Sequence, residues 1–179
     1  MEWENVVAGQ RADPEQINKI GNQVAKYKGL RLARRIVLTE AVSSITFDTD
    51  DDGNPLDSEF GGELLFYSGE NTSITNAIYL YLQINNLSGN VYVLGTSITT
   101  QFSIGYCAPS YTKNKVEIDV VNNNILIGSS FMYRTTSNGS YGNFSGVIMD
   151  SQSSVTTIKL FASTGTFPTG TVVEWWERG

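Results

Sequence analysis

A two-residue alternation of apolar and polar side chains begins after Gly29 and continues to the end of the chain. The alternating stretches are rich in β-branched and aromatic residues, and clusters of Gly, Asn, Ser, Asp or Pro separate them. They run from Leu30 to Leu38, Val42 to Phe47, Glu63 to Tyr67, Ala77 to Ile84, Val91 to Ile98, Gln101 to Tyr106, Lys115 to Val121, Ile125 to Tyr133, Phe144 to Met149, Val155 to Ala162 and Thr171 to Glu177. About ten short strands at this spacing predict an all-β fold, and we expect a jelly-roll-like antiparallel β-sandwich.

The segment before Gly29 has the pattern of one short α-helix. Asp13 is a good N-cap, Pro14 suits the first helical position, and Gly29 is well placed to end the helix. We therefore divide the chain into an N-terminal attachment or oligomerisation segment, residues 1–29, and a β-sandwich domain, residues 30–179.

An apolar stripe marks one side of the predicted helix. Its members are Ile17, Ile20, Val24 and Tyr27, at spacings of three, four and three residues. A helix this short is marginal in water unless the stripe is buried. Two interpretations remain open: the stripe packs on the chain's own β domain, or it forms a homo-oligomer interface. For the second, β-branched residues at both seam positions favour a trimer over a dimer.

The residue inventory argues against an enzyme. The chain has no histidine, which excludes Ser-His and Cys-His catalysis and zinc-histidine sites. It has one cysteine, Cys107, so no disulfide forms within it. Glycoside hydrolysis needs two carboxylates, and Glu117 with Asp119 or Glu174 with Glu177 are the pairs to weigh. The sequence does not distinguish these pairs from solvated strand residues.

Charge and hydropathy restrict the partners. Seven basic and five acidic residues precede position 41, whereas five basic and thirteen acidic residues follow, for a net charge of −6. This acidic module argues against nucleic acid as a partner. The longest apolar runs are too short to span a membrane. Met1 is followed by Glu2, Trp3 and Glu4 rather than by a basic and apolar leader, so we expect synthesis in a cytosol without a signal peptide.

One acidic segment matches a calcium-loop pattern in full. From Asp48 to Glu59 it follows D-x-[DN]-x-[DN]-G-x5-E, with Asp48, Asp50, Asp52 and Glu59 as ligands and Asn54 offering its carbonyl. A strand precedes the segment and Pro55 interrupts it, which is unlike an EF-hand. The alternative is an acidic surface turn in which Asp52-Gly53 supplies the positive φ. Calcium is the only cofactor that the sequence suggests.

Aromatic residues are the other candidates. Tyr106, Tyr111, Tyr133 and Tyr141 lie at predicted strand ends or in Gly/Ser/Asn loops, where a ring can stack on a sugar. The same residues can equally serve packing or subunit contacts. Trp175 and Trp176 are adjacent in the last predicted strand, so their side chains must point to opposite faces of the sheet.

Both ends of the chain carry a resemblance to a known class of protein. The opening from Trp3 to Ile20, WENVVAGQRADPEQINKI, resembles the attachment segments of tailed-bacteriophage fibre and baseplate proteins. The ending from Val155 to Gly179, VTTIKLFASTGTFPTGTVVEWWERG, is similar to the last hairpin of phage virion β-sandwiches, although Glu-Arg-Gly replaces the commoner final order. The turn Asp51-Asp52-Gly53-Asn54-Pro55 is also similar to turns in such domains.

This resemblance implies a virion component. It implies a helix that trimerises or docks on the particle, followed by a sandwich like the shoulder domains of receptor-binding proteins from phages of Gram-positive hosts. We therefore expect a non-enzymatic structural protein of the tail, baseplate or virion surface that assists host adsorption. We expect it to be a homo-oligomer that contacts other virion proteins. The alternative is a carbohydrate-binding module that recognises a host cell-surface saccharide.

Overall fold

The computed structural model describes residues 29–72, 74–89, 91–94, 97–134, 139–148 and 150–179. These residues form twelve β-strands. The strands are β1 (Leu30–Val37), β2 (Ser44–Phe47), β3 (Gly61–Ser68), β4 (Ile78–Ile84), β5 (Tyr92–Leu94), β6 (Ser97–Thr99), β7 (Phe102–Cys107), β8 (Tyr111–Val121), β9 (Asn124–Arg134), β10 (Gly139–Ile148), β11 (Ile158–Ala162) and β12 (Val172–Arg178). The predicted all-β class is confirmed.

The strands form two antiparallel sheets that pack as a sandwich. The large sheet has the order β1-β12-β3-β8-β9-β10-β5-β6, and the small sheet has the order β2-β11-β4-β7. The pairs β1 with β12, β2 with β11, β3 with β8 and β4 with β7 are nested within one another along the chain. Strands β9, β10, β5 and β6 then extend the large sheet beyond β8.

The core lies between the sheets and follows the two-residue alternation. In β3, Leu64 and Phe66 are fully buried while Leu65 and Tyr67 on the other face are partly exposed. Trp175 is fully buried and its Nε1 donates to Ser58 Oγ at 3.3 Å, whereas Trp176 points to the other face. The predicted opposition of the two tryptophans is therefore confirmed.

Four predicted strands differ from the structure by three residues or more. The strand predicted to begin at Lys115 begins at Tyr111, and the one predicted to begin at Val155 begins at Ile158. The stretch from Val91 to Ile98 is not one strand, because β5 and β6 within it pair with each other as a hairpin. The stretch predicted to begin at Phe144 begins instead at Gly139. Its first residues are Gly, Ser, Tyr, Gly and Asn, which have weak strand preference on average, and their pairing with β9 outweighs that preference.

The predicted helix falls on residues that the structure does not describe. The stripe of Ile17, Ile20, Val24 and Tyr27, and the oligomer interface proposed for it, lie outside the described residues and stay predictions. Within the described part of the chain, no helix of the length and apolarity of a membrane span is found.

Candidate functional site

The acidic segment between β2 and β3 forms a turn that Asp50 organises. Asp50 Oδ1 accepts the backbone N–H groups of Asp52 at 3.0 Å and Asn54 at 2.8 Å, and Asn54 Nδ2 donates to Asp50 Oδ2 at 3.1 Å. These bonds favour the ionised carboxylate, and the side-chain bond from Asn54 is the largest cause of the lowered pKa of Asp50. Gly53 has φ of 85°, as the turn interpretation requires.

The same turn is fastened to the edge of the large sheet. The backbone N–H of Asp51 donates to the Ala33 carbonyl at 2.8 Å, and the Asp51 carboxylate accepts the Arg35 N–H at 3.2 Å. Arg34 Nη1 lies 3.5 Å from Asp51 Oδ1 and donates to the Asp50 carbonyl at 2.8 Å. The turn therefore covers part of the otherwise open edge of β1.

The five predicted calcium ligands are not gathered around a common point. Among the residues that the structure describes, no three His, Cys, Asp or Glu side chains lie close enough together to hold a metal ion. Asp50 uses its oxygens within the turn, and Glu59 lines a separate open pocket with Asp57, Phe60 and Asn122. The hydrogen bonds of Asp50 favour the turn interpretation, and the calcium site at Asp48, Asp50, Asp52, Asn54 and Glu59 stays a prediction.

An aromatic cluster brings together two of the four predicted tyrosines. Its members are Tyr79, Tyr81, Tyr106, Phe131, Tyr133, Phe144 and Phe161. Tyr106 is central: its ring centre lies 4.9 Å from that of Tyr79, 5.1 Å from that of Tyr133 and 5.2 Å from that of Phe131. A hydrogen bond with the Tyr79 side chain, followed by burial, raises the pKa of Tyr106 to about 12.

A break in the β4–β7 register places Tyr106 in this cluster. The pairing shifts between Leu80 and Tyr81, where Gly105 adopts φ of 146°. A Cβ at position 105 would lie 2.1 Å from Asn114 Oδ1, so only glycine allows β7 to approach β8 this closely. The cluster thereby joins rings from the small sheet to rings from β9 and β10.

The other two predicted tyrosines lie elsewhere, on the outward face of the large sheet. Tyr111 shares the exposed side of β8 with Lys113, and Tyr141 projects from β10 with 85% of its surface exposed. Because alternate residues of a strand share a face, the outward residues of β8, β9 and β10 form rows across the three strands. One row is Lys113, Met132 and Tyr141, and the next is Lys115, Ser130 and Asn143.

These rows enclose a shallow depression, which we call the β9 groove. It is lined by Lys113, Lys115, Glu117, Gly128, Ser130, Met132, Tyr141 and Asn143. Strand β9 supplies the floor because its outward residues there are small, namely Gly128 and Ser130. Longer side chains on β8 and β10 form the two walls.

Sequence reasoning found two residues of the aromatic cluster, Tyr106 and Tyr133, and one residue of the β9 groove, Tyr141. It missed Tyr79, Tyr81, Phe131, Phe144 and Phe161, which lie within strands and carry no local sign of exposure. It also missed the groove floor, since a Gly-Ser-Ser run is as common in loops as in strands. The strand predicted from Lys115 to Val121 was also too short at its start, so sequence reasoning did not place Tyr111 and Lys113 on β8 beside β9.

No family model matches the chain, and no curated protein matches it.

Proposed function

We propose that the chain is a non-enzymatic structural protein of a tailed-phage virion, assembled as a homo-oligomer through its N-terminal segment. The observation that carries this proposal is the nested pairing of β1 with β12, β2 with β11, β3 with β8 and β4 with β7. Eight strands wound in this way make a jelly roll, an architecture of viral capsid proteins and lectins. A fold does not by itself assign a function, and the resemblance of both chain ends to phage virion proteins supplies the second support.

The carboxylates considered for hydrolysis support a non-enzymatic role. Glu117 lies 2.9 Å from Lys115 Nζ, and Asp119 pairs with Arg178. Glu174 lies 3.3 Å from Arg35 Nε, and Glu177 lies 2.7 Å from Arg31 Nη2. All four acids are therefore engaged by a neighbouring cation rather than free to act on a substrate.

The edges of the sandwich suit a protein that assembles by its terminal segment rather than by uncontrolled strand addition. The acidic turn bonds to β1 at one edge of the large sheet, and the opposite edge strand, β6, has only three residues. Short or covered edges oppose indiscriminate edge-to-edge pairing. Specific assembly then falls to the apolar stripe of Ile17, Ile20, Val24 and Tyr27.

Light scattering on the full chain tests the assembly. Three copies of 19.7 kDa give about 59 kDa, and we expect this mass at micromolar concentration. The double variant Ile17→Asp, Ile20→Asp should give the monomer mass, because two carboxylates in the seam would face each other. Asn22→Asp, outside the apolar stripe, is the matched control and should stay trimeric. A monomer in the unmodified chain would contradict the oligomer proposal.

Mass spectrometry of purified particles tests the virion assignment. Phage particles from the organism that carries the gene should contain peptides of this chain at several copies per particle. Peptides present in the lysate and missing from density-purified particles would refute the assignment, whatever the oligomeric state.

A further inference from the structure

We propose that the β9 groove is a binding site for an extended acidic saccharide, a chain of pyranose rings bearing carboxylate or phosphate groups. This site does not depend on the virion assignment. It differs from the aromatic cluster, whose rings largely pack against one another.

The floor of the groove is free of side chains at its centre. A Cβ added to Gly128 would meet nothing within 4 Å, and Gly128 does not need a positive φ. Ser130 is the next outward residue of β9. The flanking strands are two strand spacings apart, roughly 10 Å, which leaves room for one chain of sugar rings lying along β9.

The β10 wall and the outward residues of β9 together offer the contacts that sugars use. Tyr141 presents an aromatic face with 85% of its surface exposed, and its neighbour Met132 is 53% exposed. Asn143 and Ser130 add an amide and a hydroxyl beside them. An aromatic ring stacks on the apolar face of a pyranose, and short neutral polar groups bond to its hydroxyls with little loss of side-chain entropy.

Lys113 gives the groove its preference for negative charge. Lys115 is shared between Glu63 at 3.0 Å and Glu117 at 2.9 Å, so its charge is already compensated. Lys113 takes part in none of the ion pairs found in the described part of the chain. Its Nζ lies 5.5 Å above the ring of Tyr67 on β3, the neighbour of β8 on the side away from β9. A lysine side chain is long and flexible, so the ammonium can turn toward β9 and bond to an anionic group on the ligand.

Other occupants fit less well. A peptide cannot add as a strand, because β9 is paired on both sides with β8 and β10. A nucleic acid would need a broad basic surface along its phosphate backbone, whereas the groove offers two lysines, of which Lys115 is already engaged by Glu63 and Glu117. A saccharide needs neither a free strand edge nor a large basic surface.

Affinity electrophoresis and calorimetry with three probes test the proposal: oligogalacturonate, a phosphomannan whose mannopyranose rings carry phosphate, and neutral cellohexaose. We expect binding of at least one acidic probe, about tenfold tighter than binding of cellohexaose. Comparing the carboxylate and phosphate probes identifies the acidic group. Lys113→Gln should remove the preference for the acidic probe, and added salt should weaken it.

Three variants separate the groove from the rest of the surface. Tyr141→Ala should weaken binding about tenfold. Gly128→Trp should abolish binding, since a Cβ at this position meets no other atom within 4 Å and the indole would occupy the open floor. Gly29→Trp adds the same ring at another open glycine, four strands away from β9 at the far edge of the sheet, and should bind normally.

Thermal unfolding should confirm that each variant is folded. The proposal is overturned if neither acidic probe binds the unmodified chain more tightly than cellohexaose does, or if folded Gly128→Trp binds as well as Gly29→Trp.

Discussion

Replacing Tyr92 with Phe tests how the two sheets are joined. The Tyr92 ring is fully buried, and its hydroxyl accepts the Ile84 N–H at 2.7 Å while lying 3.1 Å from the Leu87 carbonyl oxygen, to which it donates. Tyr92 belongs to β5 of the large sheet, whereas Ile84 ends β4 of the small sheet. One hydroxyl therefore ties the extension of the large sheet to the opposite layer.

The expected cost follows from these contacts. Tyr92→Phe keeps the ring but leaves a buried N–H and a carbonyl without this partner, which costs about 2 kcal/mol of unfolding free energy. For a domain of this size the melting temperature should fall by about 4–8 °C. Urea unfolding followed by tryptophan fluorescence measures the free energy directly, because Trp175 is buried in the native state.

The same residue predicts a dependence on alkaline pH. Burial raises the pKa of Tyr92 to about 12, above its ordinary value of 10. A folded-state pKa above the unfolded one means that the stability contribution is complete below pH 10. It is lost as the pH rises from 10 through 12, by about 3 kcal/mol for this difference in pKa. The difference in stability between the unmodified protein and Tyr92→Phe should therefore shrink over this window.

Tyr111→Phe is the control, since it removes a hydroxyl from an exposed ring. The reasoning is refuted if Tyr92→Phe lies within about 0.5 kcal/mol of the unmodified protein at pH 7, the range of an ordinary surface substitution.

Three further predictions concern the loops and the register shift between β4 and β7 at Gly105. Gly105→Ala should lower the free energy of unfolding by about 3 kcal/mol or more, or prevent folding, because the new Cβ would overlap Asn114 and the residue has a positive φ. Soluble yield and melting temperature check this, and a variant as stable as the unmodified protein would contradict the geometry at Gly105. Asn85→Ala should lower the free energy of unfolding in urea by about 3 kcal/mol, because the Asn85 amide donates to Gln152 Oε1 and the Ser154 carbonyl and accepts the Thr156 N–H. Asn124→Ala removes an exposed amide and should cost far less, and equal losses would argue against a stabilising role of the Asn85 hydrogen bonds. Calcium at millimolar concentration should leave the melting temperature unchanged, because both carboxylate oxygens of Asp50 already accept hydrogen bonds within the turn. If calcium raised the melting temperature and Asp50→Ala removed that rise, the calcium-site interpretation would be supported instead.

The strands were predictable where their own residues alternate. In β12, Val173 and Trp175 are buried while Val172 and Trp176 are not, so the pattern that marks the strand also assigns its faces. In β10, glycine and serine carry no such pattern over Gly139 to Asn143, and the strand there exists because β9 pairs with it. The turn at Asp50 was predictable for a local reason as well, since Asp-Gly and Asn-Pro act within a few residues of one another.

The binding surfaces were not predictable to the same degree. Tyr106 and Tyr133 meet because β7 shifts register at Gly105, and the sequence contains no local trace of which strand will lie beside β7. Tyr111 and Tyr141 share a face because β8 and β10 both pair with β9. Four tyrosines that look equivalent along the chain are thereby divided between two sites.

The sequence alone thus determined the class of the fold, the position of most strands and the face that each side chain occupies, because period-two burial acts over neighbouring residues. Only the tertiary structure decided the nesting of the strand pairs and the assembly of the β9 groove. Those features depend on register between residues far apart in the chain, such as Val37 with Val172, and register is set by the packing of whole sheets.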